Sequence, residues 1–243
     1  MSIANPTSFM NNRLKPGGFT LTSRAALLCS LTKKSHVLDI GCGNGTTVEH
    51  LHRFFDIQAI GVDTGNTLLH EAKAKNPWAT FLQSDMSTLE LSDAHFDAIF
   101  AESILSLMDN SDALLQEAHR ILRHKGWFII TDVYAKKPRE LYRTKEECAS
   151  ATMRTLHDVT ALKTKLHALG FSVAYFEECS EHLKALMVQI IFENGAIEQF
   201  WRKSVHETTK PHCLSDMIKR CQPGYFLLIA KKDARKEQVS DVH

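Results

Sequence analysis

The stretch Val37-Leu38-Asp39-Ile40-Gly41-Cys42-Gly43-Asn44-Gly45-Thr46-Thr47 decides the fold. Residues of strand character run into three glycines at alternate positions, and the apolar spacing that follows, Val48, Leu51 and Phe55, is that of a helix. A strand that turns into a helix through glycines suits a ligand, because glycine reaches positive φ without strain and leaves no Cβ in the path of an approaching group. A dinucleotide loop of the G-x-G-x-x-G kind would place its third glycine at position 46, which here is Thr46. Asp39, before the first glycine, opposes a pyrophosphate and favours a cationic ligand. A plain strand-to-helix turn and a nucleotide site are the alternatives.

Working outward, the same alternation repeats. Gln58-Ala59-Ile60-Gly61-Val62, Thr80-Phe81-Leu82, Phe96-Asp97-Ala98-Ile99-Phe100 and Trp127-Phe128-Ile129-Ile130-Thr131 read as further strands. Leu68, Leu69 and Ala72 mark one crossover helix, and Leu114, Leu115, Ala118, Ile121 and Leu122 another; the third crossover has no clear pattern. Strands alternating with helices predict an α/β, Rossmann-like doubly wound sheet, since each parallel connection needs a crossover and both faces must be covered. Upstream, residues 1–19 read as an irregular arm ending in Lys15-Pro16-Gly17-Gly18, followed by a helix with a Ser/Thr cap at Thr22-Ser23. The arm, with Arg13 and the two glycines, is a candidate cover for the ligand. Arg120, Arg123, His124 and Lys125 before Gly126 read as a basic last helical turn and a glycine stop. Beyond Tyr134 come a helix near Val159 to Leu169, a strand over Gly170 to Phe176 and a last strand over Gly224 to Ala230. The expected organisation is one domain over 20–232 with insertions at about 134–160 and 178–222. Lys231-Lys232 open a solvated end, and residues 233–243 form a disordered tail.

Composition narrows the function. The chain has 243 residues, 44% of them apolar, and a formal net charge of +1. That balance lacks the basic footprint of a protein that binds nucleic acid over its whole surface. The polar start Met1-Ser2-Ile3-Ala4-Asn5-Pro6 is no secretory signal, and no apolar run reaches a bilayer span, so no membrane association and a cytoplasmic location are expected. Six cysteines without a C-x-x-C pair read as thiols. Cys148, Cys179, Cys213 and Cys221, with His206 and His212, lack the short spacings of a metal site, and no metal is expected.

Two more acids follow strands: Asp63, placed to accept the hydroxyls of a ribose, and Asp85 with Met86, placed for an adenine amino group and ring. With the D-x-G-x-G-x-G loop, Asp63, Ser84-Asp85-Met86 and Phe96-Asp97-Ala98-Ile99-Phe100-Ala101-Glu102-Ser103, the chain resembles the class I S-adenosylmethionine-dependent methyltransferases, in their small-molecule, type 11-like branch. Leu115 to Trp127 resembles that family's acceptor-side crossover. The resemblance implies seven strands in the order 3-2-1-4-5-7-6, the last antiparallel. It implies S-adenosylmethionine as cofactor, bordered by Asp39, Gly41, Cys42, Gly43, Gly45, Asp63, Thr64, Asp85, Met86, Glu102 and Ser103.

A methyl acceptor that must lose a proton needs a base, and by position the candidates are Glu102, Asp132, Tyr134 and a histidine of the later segment. The implied activity is methyl transfer to a small molecule by a monomer or homodimer. Alternatives are a non-catalytic cofactor-binding protein, an enzyme acting on protein or RNA, and a nucleotide-dependent oxidoreductase, which Asp39 disfavours. The apolar helix Leu183 to Ile191 and Phe200-Trp201 read as a hydrophobic cap, a layer on the sheet or a dimer face.

Overall fold

The computed structural model of the protein describes residues 15–108, 111–147, 156–194 and 219–233. In chain order these form α1 (Thr20–Leu28), β1 (Val37–Ile40), α2 (Thr46–Phe55), β2 (Ala59–Asp63), α3 (Asn66–Lys75), β3 (Thr80–Gln83), β4 (Phe96–Glu102), α4 (Asp112–Ile121) and β5 (Leu122–Ala135). There follow α5 (Pro138–Glu147), α6 (Val159–Ala168), β6 (Phe171–Glu178), α7 (Ser180–Asn194) and β7 (Pro223–Lys232). The strands make one sheet of order β3-β2-β1-β4-β5-β7-β6. The first five are parallel, and β7 runs antiparallel to both β5 and β6.

Alternation along the central strands builds two cores. Leu38 and Ile40 of β1, Ile99 and Ala101 of β4, Phe128 and Ile130 of β5, and Phe226 and Leu228 of β7 face α4 and α6. Their neighbours Val37, Ala98, Phe100, Ile129, Tyr225 and Leu227 face α1, α2, α3 and α7. Each strand thus feeds both faces, which is why these runs read as continuously apolar. Among the described residues no helix is long and apolar enough to cross a membrane.

Several local expectations are corrected. No Ser/Thr side chain caps α1: Phe19 is the N-cap residue, while Thr22 and Ser23 reach Glu102 and His50 instead. The third crossover, residues 84–95, carries no helix. It is held from α4, where the Arg120 guanidinium donates to the carbonyls of Leu89 and Leu91 and Glu117 accepts from the Leu89 amide. Gly126 is not a helix stop, because α4 ends at Ile121 and the left-handed residue is Lys125 (φ 64°). Gly126 is needed for close approach, since a Cβ there would lie 2.9 Å from the Arg123 carbonyl oxygen.

Lys232 is not solvated. It is 6% exposed, and its ammonium donates to the carbonyls of His119 (2.5 Å) and Leu122 (2.8 Å), closing the carboxyl end of α4. Lys231 lies over the Trp127 ring. α7 turns Leu183 and Ile190 inward and leaves Val188, Ile191 and Phe192 exposed. Residues 1–14 of the arm, Cys148, Phe200-Trp201, His206, His212, Cys213 and the tail beyond residue 233 lie outside the described residues.

Candidate functional site

Parallel strands deliver their carboxyl ends to one edge of the sheet, and three of them end in acids: Asp39 within β1, Asp63 closing β2 and Glu102 closing β4. The glycine loop lies between them, with positive φ at Gly41 (75°), Gly43 (53°) and Gly45 (80°). A Cβ on Gly41 would sit 2.7 Å from Ile104 and one on Gly45 2.7 Å from Phe81, so these two positions require glycine for space as well as for conformation. The amides of Gly41 and Cys42 donate to the Val62 carbonyl and pin the loop to β2.

Asp63 fixes the same loop. Its Oδ2 accepts from the Gly43 amide and its Oδ1 from the Gly65 amide, both at 2.8 Å. A carboxylate offers about four lone-pair positions, so two remain for hydroxyls of a ligand. Asp39 is 2% exposed, and its Oδ2 has no hydrogen-bond partner. Burial, reinforced by the negative charge of Glu102, pushes its carboxyl up to about 8, against a smaller opposing pull from Lys15. An unpartnered buried carboxylate oxygen beside a glycine cradle fits a cationic ligand and does not fit a phosphate.

Glu102 is held from three directions. Lys15 pairs with its Oε2, Thr47 at the start of α2 donates to the same oxygen (3.0 Å), and Thr22 of α1 donates to Oε1 (2.7 Å). Cys42 turns its thiol into the core, where burial pushes it far up, so only its backbone borders the loop's open side. Thr64 and Asp85 are exposed, and the Asp85 carboxylate caps Ser87, which holds it below the usual carboxylate range. Met86 is buried in the same core cluster as Val62 and Ile40, with a left-handed backbone (φ 65°). The Ser103 hydroxyl shares a 2.6 Å hydrogen bond with the Tyr225 phenol.

Next to this edge, Asp132 of β5 is fully buried. It accepts from the amide (2.9 Å) and hydroxyl (2.6 Å) of Ser106 and from the Val133 amide (2.8 Å), and lies 3.3 Å from His157 Nε2. Tyr134 donates to Glu178 (3.2 Å), and burial with that neighbouring carboxylate pushes its phenol up. Gly224 admits the Tyr134 ring, since a Cβ there would lie 2.4 Å from Tyr134 Cε1.

The structure therefore brings Asp39, the glycines, Asp63, Glu102 and Ser103 to one edge and keeps Asp132 and Tyr134 beside it. Sequence reasoning missed Lys15, Thr22 and Thr47, and did not single out His157 among the later histidines. Only Lys15-Pro16-Gly17-Gly18 carried a local signal, that of a tight turn before a helix. Among the described residues no cluster of three or more His, Cys, Asp or Glu side chains is arranged for a metal ion. Cys179 and Cys221 are buried in different clusters. An open depression of about 530 Å³ at the opposite edge, lined by Lys33, His36, Asp56 and His95 among others, lies at the amino ends of strands, away from where open α/β sheets take ligands.

Residues 38–130 match a family model described as a methyltransferase domain. A phosphoethanolamine N-methyltransferase of Plasmodium falciparum is 25% identical over 184 residues, covering 74% of this chain and 69% of that protein. An O-methyltransferase of Aspergillus nomiae is 27% identical over 168 residues, covering 65% and 73%. A solved structure, phosphoethanolamine N-methyltransferase 2 of Haemonchus contortus in complex with S-adenosyl-L-methionine, shares the fold with a TM-score of 0.69 at 17% identity, covering 95% of this chain and 56% of that one.

A seven-stranded sheet of this order, with a glycine loop set among acids at the carboxyl edge, is the fold of the class I S-adenosylmethionine-dependent methyltransferases. The family model that residues 38–130 match is that of the type 11 methyltransferase domain.

Proposed function

We propose that the protein transfers a methyl group from S-adenosylmethionine, by in-line displacement, to a small molecule at the carboxyl edge of β4 and β5. The observation that carries this reading is Asp39, a buried acid with one unpartnered oxygen beside the glycine loop. When bound, the cofactor supplies a methyl group on a positively charged sulfur, already activated as a leaving group. The protein's own work is then to align the acceptor and exclude water.

In this reading Asp39 faces the cationic end, Gly41, Gly43 and Gly45 with the Cys42 backbone line the loop, and Asp63 holds the ribose hydroxyls. Thr64, Asp85 and Met86 border the adenine end, and Glu102 with Ser103 borders the methionine end. Of the acceptor-side candidates, Glu102 is paired with Lys15 and Asp132 is closed off by its donors, so each works through a neighbour. Tyr134 keeps its proton and serves as a hydrogen-bond donor. His157, oriented by Asp132 at 3.3 Å, takes the acceptor's proton where one must leave.

The near-neutral charge favours a small acceptor over nucleic acid. The reading includes a cytoplasmic enzyme, monomeric or homodimeric, with one domain over 20–232, the arm 1–19 folding toward the cofactor and the insertions 134–160 and 178–222 shaping the acceptor side.

The test incubates the protein with methyl-labelled S-adenosylmethionine and a cell extract, then separates the products by size. Label in the small-molecule fraction is expected. Label retained on protein or RNA overturns the acceptor class, and cofactor binding without any transfer establishes the non-catalytic alternative. Once an acceptor is in hand, His157→Gln is expected to lower turnover by about 10²- to 10⁴-fold with cofactor affinity unchanged.

A further inference from the structure

We propose that Lys15 and Glu102, which are paired with each other, form the binding site for the α-amino-acid end of the cofactor: Lys15 takes its carboxylate and Glu102 its ammonium. This inference rests on the cofactor assignment and adds to it a residue from the arm.

The chemistry of the ligand sets the requirement. An α-amino acid carries an anion and a cation on one carbon, so its site needs a cation and an anion side by side. The edge of the sheet is rich in acids, with Asp39, Asp63 and Glu102 around the glycine loop, and these favour an ammonium while repelling a carboxylate. Among the described residues that gather there, Lys15 is the cation. Its ammonium touches Glu102, Thr47 Oγ1 (3.0 Å) and Thr22 Oγ1 (2.8 Å). Thr47 lies in the first turn of α2, directly after the glycine loop, so Lys15 stands at the loop's mouth.

The position of Lys15 does not depend on Glu102 alone. Lys15-Pro16-Gly17-Gly18 forms a turn, with positive φ at Gly17 and Gly18 and the Gly18 amide donating to the Lys15 carbonyl (3.0 Å). Phe19 then stacks on His50 of α2 with ring centroids 4.4 Å apart, and Lys15 lies over the Phe19 ring. Residues 15–19 are thereby fastened to the same helix that begins at the glycine loop.

Exchange of partners conserves charge. One internal ion pair becomes two pairs with the ligand, so neither Lys15 nor Glu102 is left buried without a counter-charge. The side chain of Lys15 is 21% exposed, which leaves it reachable from solvent, whereas that of Glu102 is 5% exposed. An ammonium has three donors, enough for both Glu102 and Asp39.

Three ligands separate the two roles in calorimetric titrations. S-adenosylhomocysteine has both charges, decarboxylated S-adenosylmethionine lacks the carboxylate, and methylthioadenosine lacks the amino-acid end altogether. Lys15→Met is expected to weaken S-adenosylhomocysteine by about tenfold to a hundredfold, as loss of a charge-assisted contact does, while leaving the other two within twofold. Glu102→Gln is expected to weaken S-adenosylhomocysteine and the decarboxylated ligand and to spare methylthioadenosine. Lys15→Arg retains most of the affinity. Thermal melting of each variant reports the fold separately.

Equal weakening of all three ligands by Lys15→Met shows that the pair is only a structural tie and overturns the inference. Unchanged or tighter S-adenosylhomocysteine binding shows that Lys15 obstructs the site and overturns it too. If the unsubstituted protein binds none of the three, the cofactor assignment falls with it; if it binds them and the variants do not discriminate, only the Lys15 inference falls.

Discussion

Replacing Asp39 with asparagine is expected to stabilise the cofactor-free protein at neutral pH, by an amount that grows with pH. Asp39 is buried, and its carboxyl is pushed up to about 8 by burial and by Glu102. In the unfolded chain the same group titrates at about 3.9. Between those values the folded state holds a proton that the unfolded chain has released. Stability therefore falls as pH rises through the window from about 4 to 8, at up to about 1.4 kcal/mol per pH unit, the reverse of a salt-bridged carboxylate.

At pH 7 the accumulated penalty is about 4 kcal/mol. Asparagine avoids it but buries an amide with incomplete hydrogen bonding, at about 1 to 3 kcal/mol, so the expected net gain is about 2 kcal/mol. Urea unfolding of both proteins at pH 5 and pH 8, with cofactor removed, measures it. The gap should be wide at pH 8 and closed or reversed at pH 5. Parallel pH dependences would refute the reasoning, because Asp39 would then titrate alike in both states. A cationic ligand must reverse the effect by favouring the ionised carboxylate. S-adenosylhomocysteine binding near neutral pH should therefore release a proton, visible as binding heats that differ between buffers of different ionisation enthalpy, and should be weaker in the asparagine variant.

Other residues make independent predictions. Asp63→Ala should weaken S-adenosylhomocysteine by about 1 to 3 kcal/mol in a folded protein, and unchanged affinity would remove Asp63 from the ribose. Gly45→Ala places a Cβ 2.7 Å from Phe81 and 3.1 Å from Ala72 at φ 80°, and should cost about 2 to 4 kcal/mol in denaturant unfolding. Adding Phe81→Leu should relieve the overlap and not the backbone strain, so full recovery or none would contradict this division. Lys232→Met leaves the His119 and Leu122 carbonyls without their donor. It should cost about 2 kcal/mol, seen as a melting temperature about 4 to 8 °C lower.

What could be read from the sequence was what is local and periodic. The strand-loop-helix at 37–47, the seven strands and the acids at their carboxyl ends follow from alternation and glycine spacing, and the structure keeps them together. What escaped was set by distant partners. Arg120 reads as an ordinary basic residue near a helix end, yet it holds the carbonyls of a crossover that forms no helix. Lys232 reads as the start of a charged tail, yet it closes a helix laid down more than a hundred residues earlier, as the chain separation of that contact records. Thr22 has the look of a cap and is instead a donor to Glu102. Pattern identifies which residues face a core or a ligand edge, whereas the partner of a polar side chain depends on how the whole sheet closes.

The placement of β7 between β5 and β6 has a consequence for biosynthesis. Its residues form hydrogen bonds along both edges, to β5 from Pro223 to Lys231 and to β6 from Phe226 to Lys232. As the chain leaves the ribosome, β1 to β4 can assemble the glycine loop and its acids as neighbours emerge. β5 and β6 must wait, each with a bare edge, for a strand translated after both. The half that carries the glycine loop is thus open to folding early, and the half built from β5, β7 and β6 is completed only when β7 has emerged. A stalled or nicked chain that stops short of residue 223 would present two unpaired strand edges, the kind of surface that chaperones and proteases recognise.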